Sequence, residues 1–334
     1  MIDPHRNALR KTFLNFLFVL PLLFFSLLLT ACPDGGGDQS IRIPRTYFVA
    51  PSSQGGSDLQ PGTADAPFAT ITHALNAADE GDTVQVAAGT YRPGSSGLPT
   101  DPGERFPLRI KEGVSLVGEP AGAAQGTVIQ GSGTHTSASA GAFRAAMILT
   151  EGAAISRLTV RSDGEVGVVA EGVNGEISHV QFTNNETGAL LISSNVSISN
   201  NTFSGNTIGI QSMLGDSSRL EQNTIQSNTG DPGIGVLISD AGPALLQNQV
   251  TGNPGGGVVI DGQSNPDLGG GGRSDGANTL SCNGTADLIN NDDSAIFARN
   301  NLWDHLDPND IDAVDNGAGI IDTTGAGIAA QSCG

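Results

Sequence analysis

The sequence predicts an all-β solenoid with one short helix, and three observations carry that prediction. The first is a repeat: ISRLTV at 155–160, ISHVQF at 177–182, ISNNTF at 198–203, LEQNTI at 220–225 and LLQNQV at 245–250 align on their apolar ends. The last apolar residues, Val160, Phe182, Phe203, Ile225 and Val250, recur at steps of about 22 residues. The second is a block that follows in phase, GVV at 167, GALLI at 188, GI at 209, GVLI at 235 and GVVI at 257. The third is composition: 47 Gly and only 4% aromatic residues. That is a poor stock for a globular core, but it suits coils that bury small apolar side chains against the next coil.

Each repeat assigns its residues by type. Ile177, Ile198, Leu220 and Leu245 should stack inward, as should Phe182, Phe203, Ile225 and Val250. Between them runs a column of Asn201, Asn223, Asn248 and Asn301. A second polar column carries Asp163, Asn185, Asn206, Asn228 and Asn253. Asn tolerates left-handed turns, and its amide can bond the amide of the next coil, so both columns are expected to be structural ladders. Two more columns should face outward from the strands. One reads Arg157, His179, Asn200, Gln222, Gln247 and Asn300, and the other Arg161, Thr183, Ser204, Gln226, Thr251 and Asp304. Outward strand positions are polar in any case. A flat row of hydroxyls and amides also suits sugar hydroxyls, which makes Arg157, Arg161 and His179 the candidate glycan-contacting patch.

Toward the N-terminus, YFV at 47–49 reads as a strand, and Ile71, Ala74, Leu75 and Ala78 fall on one face of a short helix. Such a helix would cover the first open edge of the solenoid, whose unpaired N–H and C=O groups would otherwise recruit other chains. A strand at 81–86 follows, closed by GTY at 89–91. This run (PGT at 61–63, PFATIT at 67–72, GDTVQV and GTY), continued by GERFPL at 103–108, GVSLVG at 113–118 and GANTL at 276–280, is a recognisable opening. It resembles bacterial right-handed parallel β-helix proteins of the pectin-lyase-like superfamily, and within them a secreted "domain of unknown function" family. The likeness spans roughly 46–305 and implies right-handed winding in a single β-helix domain. The family carries no assigned activity.

Residues 1–32 read as a lipoprotein signal peptide: Arg6, Arg10 and Lys11, an apolar run from Phe13 to Leu29, then LTAC ending at Cys32. Small residues directly before Cys32 suit cleavage and lipidation of its thiol, and two or three acyl chains would give a stable anchor. Residues 33–45 form a Gly- and Asp-rich tether, and 46–334 the β-helix domain with an irregular C-terminal region. The expected address is the cell envelope, lipid-anchored and extracytoplasmic. In an oxidising compartment the two remaining thiols, Cys282 and Cys333, form a disulfide candidate.

Fifteen Lys and Arg against 34 Asp and Glu give a net charge of −19. Three of the basic residues lie in the leader, so the rest is more acidic still. Such a field repels duplex nucleic acid and keeps the chain soluble, and a monomer is expected. Asp307, Asp310, Asp312 and Asp315 crowd the end and form a metal candidate, since calcium favours such carboxylates; their spacing fits no EF-hand loop, and a solvated acidic turn is the preferred reading.

The superfamily's hydrolases use Asn-x-Asp, Asp-Asp, Gly-His-Gly and Arg-Ile-Lys in that order. Here only Arg109-Ile110-Lys111 and Asp292-Asp293 occur, in reverse order and without Gly-His. Lys111 is the one Lys outside the leader, no coil pairs acids beside an Arg, and no two carboxylates can be nominated for hydrolysis. No catalytic residue is assigned. The sequence thus points to a non-catalytic carbohydrate-contacting surface protein. A lyase or hydrolase with an unrecognised site, and a structural spacer or adhesin, are the competing readings.

Overall fold

Parallel pairing from coil to coil organises the domain. The computed structural model describes residues 42–94, 103–119, 126–304, 313–317, 319–330 and 333. Cys32 and its leader, most of the tether, and Asp307, Asp310 and Asp312 lie outside the described residues.

Residues 43–334 make one unit of three parallel sheets. Counted among the described residues, the first face holds eleven strands, among them Ala153–Ser156, Asn174–Ser178, Asn195–Ser199, Arg219–Glu221 and Ala244–Leu246. The second face holds ten, including Thr159–Arg161, Gln181–Thr183, Thr202–Ser204, Thr224–Gln226 and Gln249–Thr251. The third is also ten-stranded, and includes Val166–Glu171, Thr187–Ile192 and Ile208–Met213. One of its strands, Gly133–Ser137, is antiparallel to its neighbour, Gly141–Leu149.

The inward stacks form as their spacing predicts. Val160, Phe182, Phe203, Ile225, Val250, Leu280 and Trp303 are consecutive partners across coils, and all are fully buried. Phe182 and Phe203 lie parallel with ring centroids 4.5 Å apart, close to the strand spacing of about 4.8 Å. On the first face Ile155, Ile177, Ile198, Leu220 and Leu245 stack likewise. At the N-terminal end the helix Ile71–Ala77 buries Ile71, Ala74 and Leu75, with the Thr70 side chain accepting from His73 N. Lys111, the lone Lys outside the leader, donates to the Asn76 and Ala78 carbonyls at the other end of that helix, a capping role.

The corner between the first and second faces differs from the flat surface expected. Arg157, His179, Asn200, Gln222, Gln247 and Asn300 do not sit in strands. Each has a left-handed backbone, with φ between 54° and 60°, and makes the turn itself. The next residue in the later coils is a ladder Asn. Asn223 shows the unit: its Nδ2 donates to Asn248 Oδ1 (3.0 Å) and Ile198 O (2.8 Å), while its Oδ1 accepts from Asn201 N (3.0 Å) and Nδ2 (3.0 Å). Asn201, Asn223, Asn248, Asn278 and Asn301 are linked this way, all nearly solvent-free. Asn278 was not foreseen because the Gly-rich insertion before it breaks the period.

That insertion winds around one side chain. Asp267 accepts from the backbone N–H of Gly269, Gly271, Arg273 and Ser274 at 2.7–3.0 Å. Burial alone would raise its carboxyl, but these four donors outweigh burial and hold it below the usual carboxylate range.

Asn223→Ala should cost about 3 kcal/mol, since it strips partners from buried groups on the two flanking coils. Urea denaturation measures this, and a loss under about 1 kcal/mol would show that the ladder is not what holds the corner. Gln222→Gly, at the neighbouring left-handed position, should change stability by less than about 1 kcal/mol.

Candidate functional site

The second ladder points to the site through the residue that it rejects. At the corner between the second and third faces, Asn185, Asn206, Asn228, Asn253 and Asn283 hand hydrogen bonds along in the same way, and Asp287 Oδ1 accepts the last amide. Asp163, expected in this column, is not in it. Ser162 N takes the ladder position and donates to Asn185 Oδ1 at 2.7 Å, while Asp163 occupies the left-handed corner, φ 58°, and is exposed. The reason is chemical: a ladder member needs an N–H to pass on, and a carboxylate has none. An acid can therefore close the row, as Asp287 does, but cannot sit inside it.

Asp163 lines an open polar groove of about 410 Å³ instead, with Arg92, Gln130, Ser132, Arg144 and Glu165. Its floor is the end of the second face. Tyr91 pairs with Ile129 and Gln130 with Arg161, so Arg92, Gln130 and Arg161 follow one another up the outward column that continues as Thr183, Ser204 and Gln226. Arg161 thus faces outward beside Thr183 as expected, with Gln130 on its other side, and stands in a different column from Arg157 and His179. Those two lie back at the preceding left-handed corner. The Arg161 Nε is shielded from solvent and has no hydrogen-bond partner.

Hydrogen bonds set the charged groups of the groove. Arg144 Nε lies 3.2 Å from Glu165 Oε1, and its NH2 group donates to Ser132 O and Oγ at 2.8 and 3.0 Å. Gln130 Nε2 lies 3.4 Å from Asp163 Oδ1. Sequence reasoning missed Arg92, Gln130 and Arg144 because the coils carrying them have irregular lengths. The readable signal was the shared ending of GTYR at 89–92 and TVIQ at 127–130, an apolar residue followed by a polar one, as in TVR at 159–161.

Arg144 and Ser132 belong to a hairpin that the period did not foretell. Gly133–Ser137 and Gly141–Leu149 pair antiparallel, and Phe143 packs on an outward apolar cluster of Ile148, Val169, Leu190 and Ile192 on the third face. Glu171 clasps the hairpin: its carboxylate accepts from Ser137 Oγ (2.7 Å) and Ser139 N (3.2 Å), and lies 3.6 Å from His135 Nε2. Burial would raise the Glu171 carboxyl, but the bonds from Ser137 and Ser139, with His135 close by, prevail and hold it below the usual range.

The remaining candidates stand elsewhere. Cys282 and Cys333 are joined by a disulfide, with Cα atoms 5.2 Å apart. Cys282 N also donates to Asp304 Oδ2 (2.6 Å). Among the described residues these three make the one grouping of metal-ligand types within reach, and its two sulfurs are bonded to each other. Asp315 accepts from Asn290 Nδ2 (3.3 Å) and Gly317 N (3.1 Å) on the last strand of the third face. Arg109 sits on the short strand Leu108–Arg109, apart from Asp292, whose side chain accepts from Ser264 and Ser294 N.

Comparison with known proteins gives one family: the description "Protein of unknown function (DUF1565)" matches residues 54–310. No curated protein is a detectable relative. Among solved structures, the pectate lyase Pel9A is 14% identical over 87% of this chain and 83% of its own, with a TM-score of 0.57. The complex of XylC with xylose is 10% identical over 77% and 68%, with a TM-score of 0.47. At such identity the first likeness shows a shared fold, the right-handed parallel β-helix, and nothing of chemistry.

Glu171→Gln should loosen the hairpin in a pH-dependent way. The native carboxyl titrates below its unfolded value, so its contribution is complete above the ordinary carboxylate range and is lost as pH falls through the native value. The stability gap between wild type and variant, from denaturation at stepped pH, should be widest near neutrality and close in acid. A gap that widens in acid would contradict this assignment.

Proposed function

Since the chain belongs to the family described as "Protein of unknown function (DUF1565)", and builds the β-helix shared with polysaccharide lyases and hydrolases, we propose that it is a lipid-anchored, extracytoplasmic carbohydrate-binding protein. One observation carries the reading. Arg92, Gln130, Arg161, Thr183, Ser204 and Gln226 form a straight outward column of hydrogen-bonding side chains, and at its N-terminal end it opens into the groove of Arg144, Asp163 and Glu165. Strand spacing sets the interval at about 4.8 Å, so the donors and acceptors are preorganised by backbone and not by mobile loops. The groove volume lies within the range of small-ligand sites, about 300–1,000 Å³. Binding is favoured over cleavage because Glu165 is engaged by Arg144 and Asp163 by Gln130, while a glycosidase needs two carboxyls converging on one bond.

A glycan array probed with the full-length protein, with and without calcium, tests this. The expected result is binding to at least one glycan that falls by about tenfold or more in Gln130→Ala and Arg144→Ala, equivalent to about 1.4 kcal/mol. Silence across the array, or release of reducing ends or unsaturated products from a bound polysaccharide, would overturn it. The anchor has its own test: labelling with a fatty-acid analogue should be lost in Cys32→Ala, and unchanged labelling would refute lipidation there.

A further inference from the structure

A second cavity adjoins the groove, and one side chain belongs to both. It measures about 370 Å³ and lies between the N-terminal cap and the first coil of the second face, lined by Ser52, Ser53, Thr70, Thr90, Arg92 and Glu104 among others. Arg92, directly after the strand Gly89–Tyr91, lines this cavity and the groove alike and is exposed. Resting on the carbohydrate-binding reading above, we infer that the site continues past Arg92 into this second cavity, so that it takes an oligosaccharide segment and not a single sugar ring.

The walls of the second cavity are built and held. Glu104, 6% exposed, accepts from Ile71 N and Thr72 N at 2.8 Å each and from Thr72 Oγ1 at 2.6 Å. Asp58 accepts from Ala69 N, Thr70 N and Thr70 Oγ1 at 2.8–3.0 Å. Tyr91, 4% exposed, donates its hydroxyl to Ala87 O at 3.1 Å. A lining fixed in this way needs little reordering when a flexible chain lies in it, which is the condition under which weak polar contacts add up. The lining carries exposed hydroxyls at Ser52, Ser53 and Thr90, and Arg92 stands at the junction as a multiple donor. Hydroxyl-bearing rings on both sides of a central guanidinium match that layout.

Calorimetric titration of the full-length protein with xylooligosaccharides as the neutral series and oligogalacturonates as the anionic series, each from mono- to hexasaccharide, decides the matter. In the series that binds, the tetrasaccharide should bind about tenfold or more tightly than the disaccharide. Ser53→Trp and Thr90→Trp, two independent ways to fill the second cavity, should each bring that ratio to within about twofold while leaving disaccharide affinity in place. Circular dichroism confirms that the variants are folded. Affinity independent of length, or a length dependence that survives both fillings, overturns the extended site and leaves carbohydrate binding standing. Binding of neither series at any length overturns the extended site; silence on the glycan array as well removes the binding reading too.

Discussion

The amide-to-amide hydrogen bonds of the two asparagine ladders are what the rest of the structure depends on. Each corner between flat faces takes the backbone out of strand pairing and so exposes N–H and C=O groups inside a dry core, where an unpaired group costs about 1–3 kcal/mol. One Asn per coil answers that problem. Its carbonyl accepts from the coil behind, and its amide donates to the coil ahead and to a strand carbonyl of the coil behind, as Asn223 does. The row works only if every member carries both a donor and an acceptor, so it fixes residue type, coil spacing and register together.

The same rule places the candidate site. A residue that cannot pass on an N–H either ends the row or turns away from it. Asp287 ends the second row, and Asp163 turns out to the surface and into the groove. Repetition also makes the faces flat, so a concave feature has to come from departures from the repeat. The hairpin Gly133–Ser137 with Gly141–Leu149 brings Arg144 and Ser132, and the strand Gly89–Tyr91 delivers Arg92. Glu171 then ties the hairpin to the third face, linking one wall of the groove to the frame.

Legibility in the sequence followed from this division. The stacks through Phe182 and Phe203, the ladder from Asn201 to Asn248 and the capping helix were readable, because each rests on a local period or a local apolar face. Arg161 was readable as an outward residue for the same reason. Arg157 and His179 were placed on a face that does not exist there: period alone does not distinguish a polar strand position from a left-handed corner, and only the backbone angles do. Arg92, Gln130 and Arg144 were invisible as a group, since their separations follow no fixed step and only the tertiary structure lines one groove with them.

By itself the sequence determined the fold class, the inward stacks and the identity of the polar ladders, because these rest on interactions that recur between each coil and the next. Only the tertiary structure decided where the surface becomes a groove, which residues share it, and that Arg92 stands between two cavities. A site of that kind forms where coils of unequal length are brought side by side, and unequal lengths leave no period to read.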